Sequence, residues 1–120
     1  MRELILMNKV IEILLYTLKP GTGRDFHKIM QEISVPLHKK TGMDVVAFGN
    51  SLHDSDAYYL IRAYDSLEQL NSSQDHFYAS DAWKKGPRAD IIGRIATSLR
   101  TVMPLDSNAI EKLRQSGGLR

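Results

Sequence analysis

Val10-Ile11-Glu12-Ile13-Leu14-Leu15-Tyr16-Thr17-Leu18 is the most strand-like run in the chain, rich in β-branched and aromatic residues. Lys19-Pro20-Gly21 closes it, since proline has no N–H to donate to a β-ladder. As a strand it sends Ile11, Ile13, Leu15 and Thr17 to one face and Val10, Glu12, Leu14, Tyr16 and Leu18 to the other. Both sets are largely apolar, so both faces of the sheet that contains this strand need a cover.

The segments that follow supply the rest of that sheet and one of the covers. Phe26, Ile29, Met30, Ile33 and Leu37 form a single apolar stripe, which predicts a helix over about residues 22–39, kinked near Pro36 and ended by Thr41-Gly42. Asp44 to Ser51 and Ala57 to Tyr64 read as two antiparallel strands joined by the polar loop Leu52-His53-Asp54-Ser55-Asp56. Asp65 followed by Glu68 has the form of a capping box, and Leu67, Leu70, Gln74 and Phe77 continue on one face of a second helix that starts near Ser66. Ser80-Asp81 opens a further turn through Trp83, a short helical piece runs from Pro87 to Gly93, and Ile95 to Met103 reads as a fourth strand. The order is β-α-β-β-α-β, an α+β chain. Residues 1–9 read as an N-terminal extension, 10–104 as the domain and 105–120 as a C-terminal tail that is loose or forms a short helix on a neighbour.

With 120 residues, 42% hydrophobic and 25% charged, the chain has room for one domain with one core. The absence of cysteine removes disulfides and thiolate chemistry. A net charge of +2, with basic residues spread along the chain, argues against a nucleic-acid partner. The apolar run Leu4 to Met7, like every other in the chain, is too short for a membrane span or a secretory core, so the expected location is cytoplasmic with no membrane partner.

Two helices cover only one face of a four-stranded sheet. Leaving a face that bears Leu14, Leu60 and Phe48 in water would cost several kcal/mol at about 25 cal/mol per Å2, and a second copy of the chain is the simplest cover. The expectation is a homodimer whose barrel is lined by Glu12, Leu14, Tyr16, Phe48, Leu60, Arg62, Tyr64 and Arg100.

Ile11-Glu12-Ile13-Leu14-Leu15-Tyr16-Thr17-Leu18-Lys19-Pro20-Gly21 resembles the opening signature of NIPSNAP-like proteins. Tyr64-Asp65-Ser66-Leu67 is similar to their strand-to-helix junction, and Ser80-Asp81-Ala82-Trp83-Lys84 to the segment that follows. The resemblance spans about residues 10–104. It implies a ferredoxin-like α+β subunit and a dimeric α+β barrel. The chain departs from the pattern at Leu14, where family members usually carry arginine, and at Leu60 and Arg62, where an aromatic or histidine often stands.

Glu12 and Arg62 are the unusual members of the lining, because charges on a covered strand are rare unless paired or functional. Either they satisfy each other, or Arg62 keeps donors free for an anion such as a carboxylate, enolate or phenolate. His27 and His38 lie about three helical turns apart, roughly 16 Å, too far to share a metal. His53 has the setting of a turn residue. His76 stands at the end of the second helix near Tyr78 and Trp83, where dimeric barrels of the monooxygenase type often hold a functional histidine, as the resemblance implies. Gly21-Thr22-Gly23 fails as a dinucleotide fingerprint because Phe26 occupies the position that close helix packing needs as Gly or Ala. Strand three lacks the order of an RNA-recognition strand. No metal site and no cofactor are expected. Two functions remain open: an enzyme acting on a small aromatic or polyketide-like compound, with Tyr16, Arg62 and His76 as candidate catalytic residues, or a non-catalytic dimer that binds a small hydrophobic molecule or serves an interaction role.

Overall fold

A computed structural model describes residues 8–118. The expected strands all form: β1 (Asn8–Leu18), β2 (Asp44–Ser51), β3 (Asp54–Tyr64) and β4 (Ile95–Asp106). They make one sheet in the order β2-β3-β1-β4, with every neighbouring pair antiparallel. This is the ferredoxin-like α+β arrangement. The expected extension falls mostly outside the described residues, and its last two positions, Asn8 and Lys9, are already strand. β4 outruns the predicted end at Met103 and includes Pro104, which an edge strand tolerates because its missing N–H removes no interior ladder bond.

The first helix forms as α1 (Gly23–Ile29), a π-helical stretch (Met30–Ser34) and α2 (Val35–Lys40). Pro36 has no N–H and its ring crowds the carbonyl four residues back, and the wider π turn relieves that crowding where a sharp kink was expected. α3 (Leu67–Ala79) is capped one residue later than the sequence pattern suggests. The Ser66 hydroxyl accepts from the Gln69 N–H at 3.0 Å, and the Gln69 side chain reaches back to the Asp65 N–H, so Asp65 and Glu68 are not the capping pair. α4 (Asp81–Lys84) starts at the Ser80 cap as expected, and α5 (Arg88–Ile92) follows Pro87.

α1 to α5 pack on one face of the sheet. Phe26, Met30, Val35, Leu70, Phe77, Trp83 and Ile91 from the helices form one buried cluster with Leu14, Leu18, Tyr58, Leu60 and Tyr64 from the strands. The helix-covered face is therefore the one that bears Glu12, Leu14, Tyr16, Phe48, Leu60, Arg62 and Tyr64. This reverses the expectation that those residues face away from the helices. The other face carries Ile11, Ile13, Leu15, Tyr59, Ile61 and Ala63.

The tail, expected to be loose or a short helix on a neighbour, is a helix, α6 (Ser107–Gly118), folded back on its own sheet. Ile110 and Leu113 pack against Ile11, Val46, Ala47 and Ala63. Arg114 reaches the edge of β2 and donates to both Asp44 carboxylate oxygens at 2.7 and 2.9 Å, a bidentate pair that fixes the helix direction. α6 thus covers the end of the open face where β2 begins, and leaves the hairpin end uncovered.

Candidate functional site

The helices turn Glu12 and Arg62 from an isolated pair into the centre of a polar network. They face each other across the β1/β3 ladder, each with only 1% of its surface exposed. Arg62 donates from Nε to Glu12 Oε1 at 2.8 Å, and its Nη2 lies 2.6 Å from the same oxygen. Its Nη1 donates to the Tyr78 hydroxyl of α3 at 2.8 Å and to His38 Nε2 of α2 at 3.1 Å. The other Glu12 oxygen accepts from Gln74 at 2.8 Å and from Arg100 Nε of β4 at 2.6 Å, and Gln74 also donates to the Tyr64 hydroxyl. Both carboxylate oxygens are thus satisfied twice, which is what a buried charge requires.

This arrangement settles the protonation states. Burial pushes the Glu12 carboxyl up, but the Arg62 charge and the Gln74, Arg100 and Arg62 hydrogen bonds outweigh it and hold the pKa below the ordinary value. His38 donates from Nδ1 to the Ser34 carbonyl at 2.7 Å, so its Nε2 carries the lone pair that accepts from Arg62. Burial pushes its pKa down to about 4, and the neutral tautomer is the stable form near neutral pH. Burial raises the pKa of Tyr16 and Tyr64, so neither is poised as a phenolate. Arg62 has four of its five N–H groups engaged and is not a free anion-binding group.

Of the residues expected to act together, Tyr16, Glu12, Arg62, Tyr64 and Arg100 share this network or its electrostatic surroundings, with Leu14 and Leu60 as apolar neighbours in the same core. His76 does not join them: it is exposed on α3, with Thr41, Met43 and Ser72 around it. Phe48 packs beside His27, whose Nδ1 shares a 2.6 Å hydrogen bond with the Tyr58 hydroxyl. His38, Gln74 and Tyr78 were missed from sequence. Their signal was the polar pairs Ser34/His38 and Gln74/Tyr78, each spaced i, i+4 along the inner side of a helix. Among the described residues, no group of three His, Asp or Glu side chains is placed to hold a metal ion.

The uncovered end of the other face has a different character. Leu99 is 70% exposed and Leu15 49%, beside the half-buried Ile13, Tyr59 and Ile61. A hollow of about 270 Å3 lies here, walled by Leu15, Thr17, Tyr59 and Leu99, with Ser51 and His53 of the β2–β3 hairpin among its lining. The hairpin is held by Asp56, which accepts from the Gly21 and Gly23 N–H groups at 3.0 and 2.9 Å. Gly23 has to be glycine, since a Cβ there would lie 1.8 Å from the Ser55 carbonyl oxygen. A larger hollow of about 650 Å3 runs along the outer edge of β2, but its histidine, His27, is tied to Tyr58 and its Arg114 to Asp44.

No family model matches the chain, and no curated protein matches it. Solved structures do. An uncharacterized NIPSNAP-like domain protein from Burkholderia xenovorans superposes with a TM-score of 0.73 at 13% identity, over 82% of this chain and 84% of that one. A NIPSNAP family protein with unknown function from Agrobacterium tumefaciens gives 0.72 at 19% identity, over 83% and 90%. The fold is that of the NIPSNAP-like proteins. A candidate antibiotic biosynthesis monooxygenase from Nitrosomonas europaea shares the NIPSNAP-like fold more distantly, with a TM-score of 0.57 at 11% identity over 80% and 95% of the two chains. Among the described residues no helix is long and apolar enough to cross a membrane.

Proposed function

We propose that this chain is a NIPSNAP-like protein that works as a homodimer, and that the hairpin ends of its two open sheet faces enclose a site for a small apolar or aromatic molecule. The observation that carries this reading is the row of exposed Leu15 and Leu99 beside a hollow on a face that α6 covers only in part. Side chains of this size each lose roughly 1.5–3 kcal/mol of burial when left in water, which favours a cover supplied by a second copy. Binding is favoured over conversion, because the buried acid–base groups are either fully paired or held away from their reactive forms: Arg62 is engaged, His38 is neutral with its lone pair in use, and the tyrosines are kept as phenols.

Sedimentation velocity at micromolar concentration tests the assembly, and native mass spectrometry of the purified protein tests for a retained small molecule. Wild type is expected as a dimer, and Leu99→Glu as a folded monomer that retains nothing. A stable 13.6 kDa wild-type species that binds no apolar dye would overturn the proposal.

A further inference from the structure

Two guanidinium groups and one carboxylate meet on the helix-covered face, so the network around Glu12 carries one positive charge in excess. His38 is neutral and adds nothing to the sum. Arg62 is inaccessible and engaged. The excess therefore resides on Arg100, whose side chain is 48% exposed. Its Nε is held by Glu12 Oε2, and its Nη1 and Nη2 have no hydrogen-bond partner among the described residues. Three further facts mark the place. Glu12, which orients Arg100, is itself locked by Arg62 and Gln74, so the fork is preset rather than free to swing. The Tyr78 hydroxyl accepts from the same Arg62 and keeps its own proton to donate. The half-buried Tyr16 hydroxyl has no hydrogen-bond partner among the described residues, and the charged groups it senses are Arg62 and Glu12.

We propose that Arg100 is the anion-binding group of a site on the helix-covered face, taking the carboxylate of a small aromatic or aliphatic acid on its two free Nη groups. A carboxylate matches the guanidinium fork in a bidentate way that a neutral amide cannot. Glu12 already has both oxygens satisfied, so it acts as the positioning residue that aims Arg100 outward. This site is separate from the hollow at Leu15 and Leu99: Leu99 and Arg100 are adjacent in β4 and project to opposite faces.

The test is an isothermal and NMR titration of the full chain with benzoate, with benzamide as the neutral comparison. Wild type is expected to bind benzoate with perturbation of the Arg100 Nε–H resonance, weakening as salt is raised, and benzamide about tenfold more weakly or not at all. Arg100→Gln removes the charge at a half-exposed position and should lower benzoate affinity about tenfold without loss of fold, Arg100→Lys should retain part of it, and Arg94→Gln, at another arginine, should leave it unchanged. Sedimentation of the wild type reports on the dimer reading and benzoate titration of Arg100→Gln on this one, so failure of the two is distinguishable. Absence of benzoate binding to wild type, equal binding of benzamide, or an undiminished affinity in folded Arg100→Gln would each overturn the assignment.

Discussion

At Arg62 and His38 the network makes statements about stability that can be measured. Removing Arg62 as Arg62→Met keeps the bulk of the side chain but leaves a buried carboxylate with only Gln74 and Arg100, and a buried His38 lone pair with no donor. Breaking one side of such a pair costs about 3–5 kcal/mol, so chemical denaturation should show a loss of that order. His38 sets a pH window. Its folded pKa of about 4 lies below the ordinary value of 6.5, so the unfolded chain binds the extra proton between those two values. Stability is then fully present above about pH 6.5 and falls as the pH drops toward 4, by roughly 3 kcal/mol in all. The Glu12 contribution has the same sign, present above its unfolded pKa of about 4.5 and lost below it. His38→Gln should flatten the slope between pH 6.5 and 4.5 while leaving the steeper loss at lower pH; an unchanged slope there would assign the acid sensitivity to other groups.

Among the elements, the strands, their order along the chain and the two main helices between them were legible in the sequence, because period-2 and period-3.6 patterns were separated by clear breakers such as Pro20-Gly21 and Thr41-Gly42. The facing of the sheet was not. Alternation divides β1 and β3 into two sets without saying which set meets the helices, and here both sets are apolar. The sequence reading assigned the set with Glu12 and Arg62 to the face away from the helices, which is the wrong side. What decides the facing is whether the helices bring partners for them, and they do so through His38, Gln74 and Tyr78. Arg100 was legible as a member of this set, but its role follows only from seeing four of the five Arg62 N–H groups engaged. α6 was obscured for another reason: Ile110 and Leu113 are too few to predict a helix, and its direction comes from Arg114 meeting Asp44, far away in the chain. That gives an expected outcome at this scale. Ile110 is 2% exposed, so Ile110→Ala should cost about 2–4 kcal/mol and raise hydrogen exchange at Val46 and Ala47. Equal exchange in both proteins would mean that α6 does not stay on the sheet in solution.

Across the whole molecule the open face is divided unevenly, and the division makes the dimer proposal sharper than a statement of mass. One end, over Ile11, Val46, Ala47 and Ala63, is already dry under α6. The other end, around Leu15 and Leu99, has no cover from its own chain. β4 also lies at the edge of the sheet and, except at Ile95, Val102, Leu105 and Asp106, is exposed along its length, which makes it the least protected strand of an isolated subunit. A second copy that covers this end would shield the side chains of Thr97, Leu99 and Thr101 and slow local opening of β4, and dilution would reverse the effect by mass action. Hydrogen exchange measured across a hundredfold range of protein concentration should therefore show protection that grows with concentration in β4 and at Leu15, and no such growth at Val46 or Ala47, which α6 protects at any concentration. Growth at Val46 and Ala47 as well would mean that α6 leaves its own sheet on association and that the copies meet over the whole face. Protection independent of concentration at both ends, with sedimentation as a monomer, would remove the second copy from the account and leave the apolar row without the cover proposed for it.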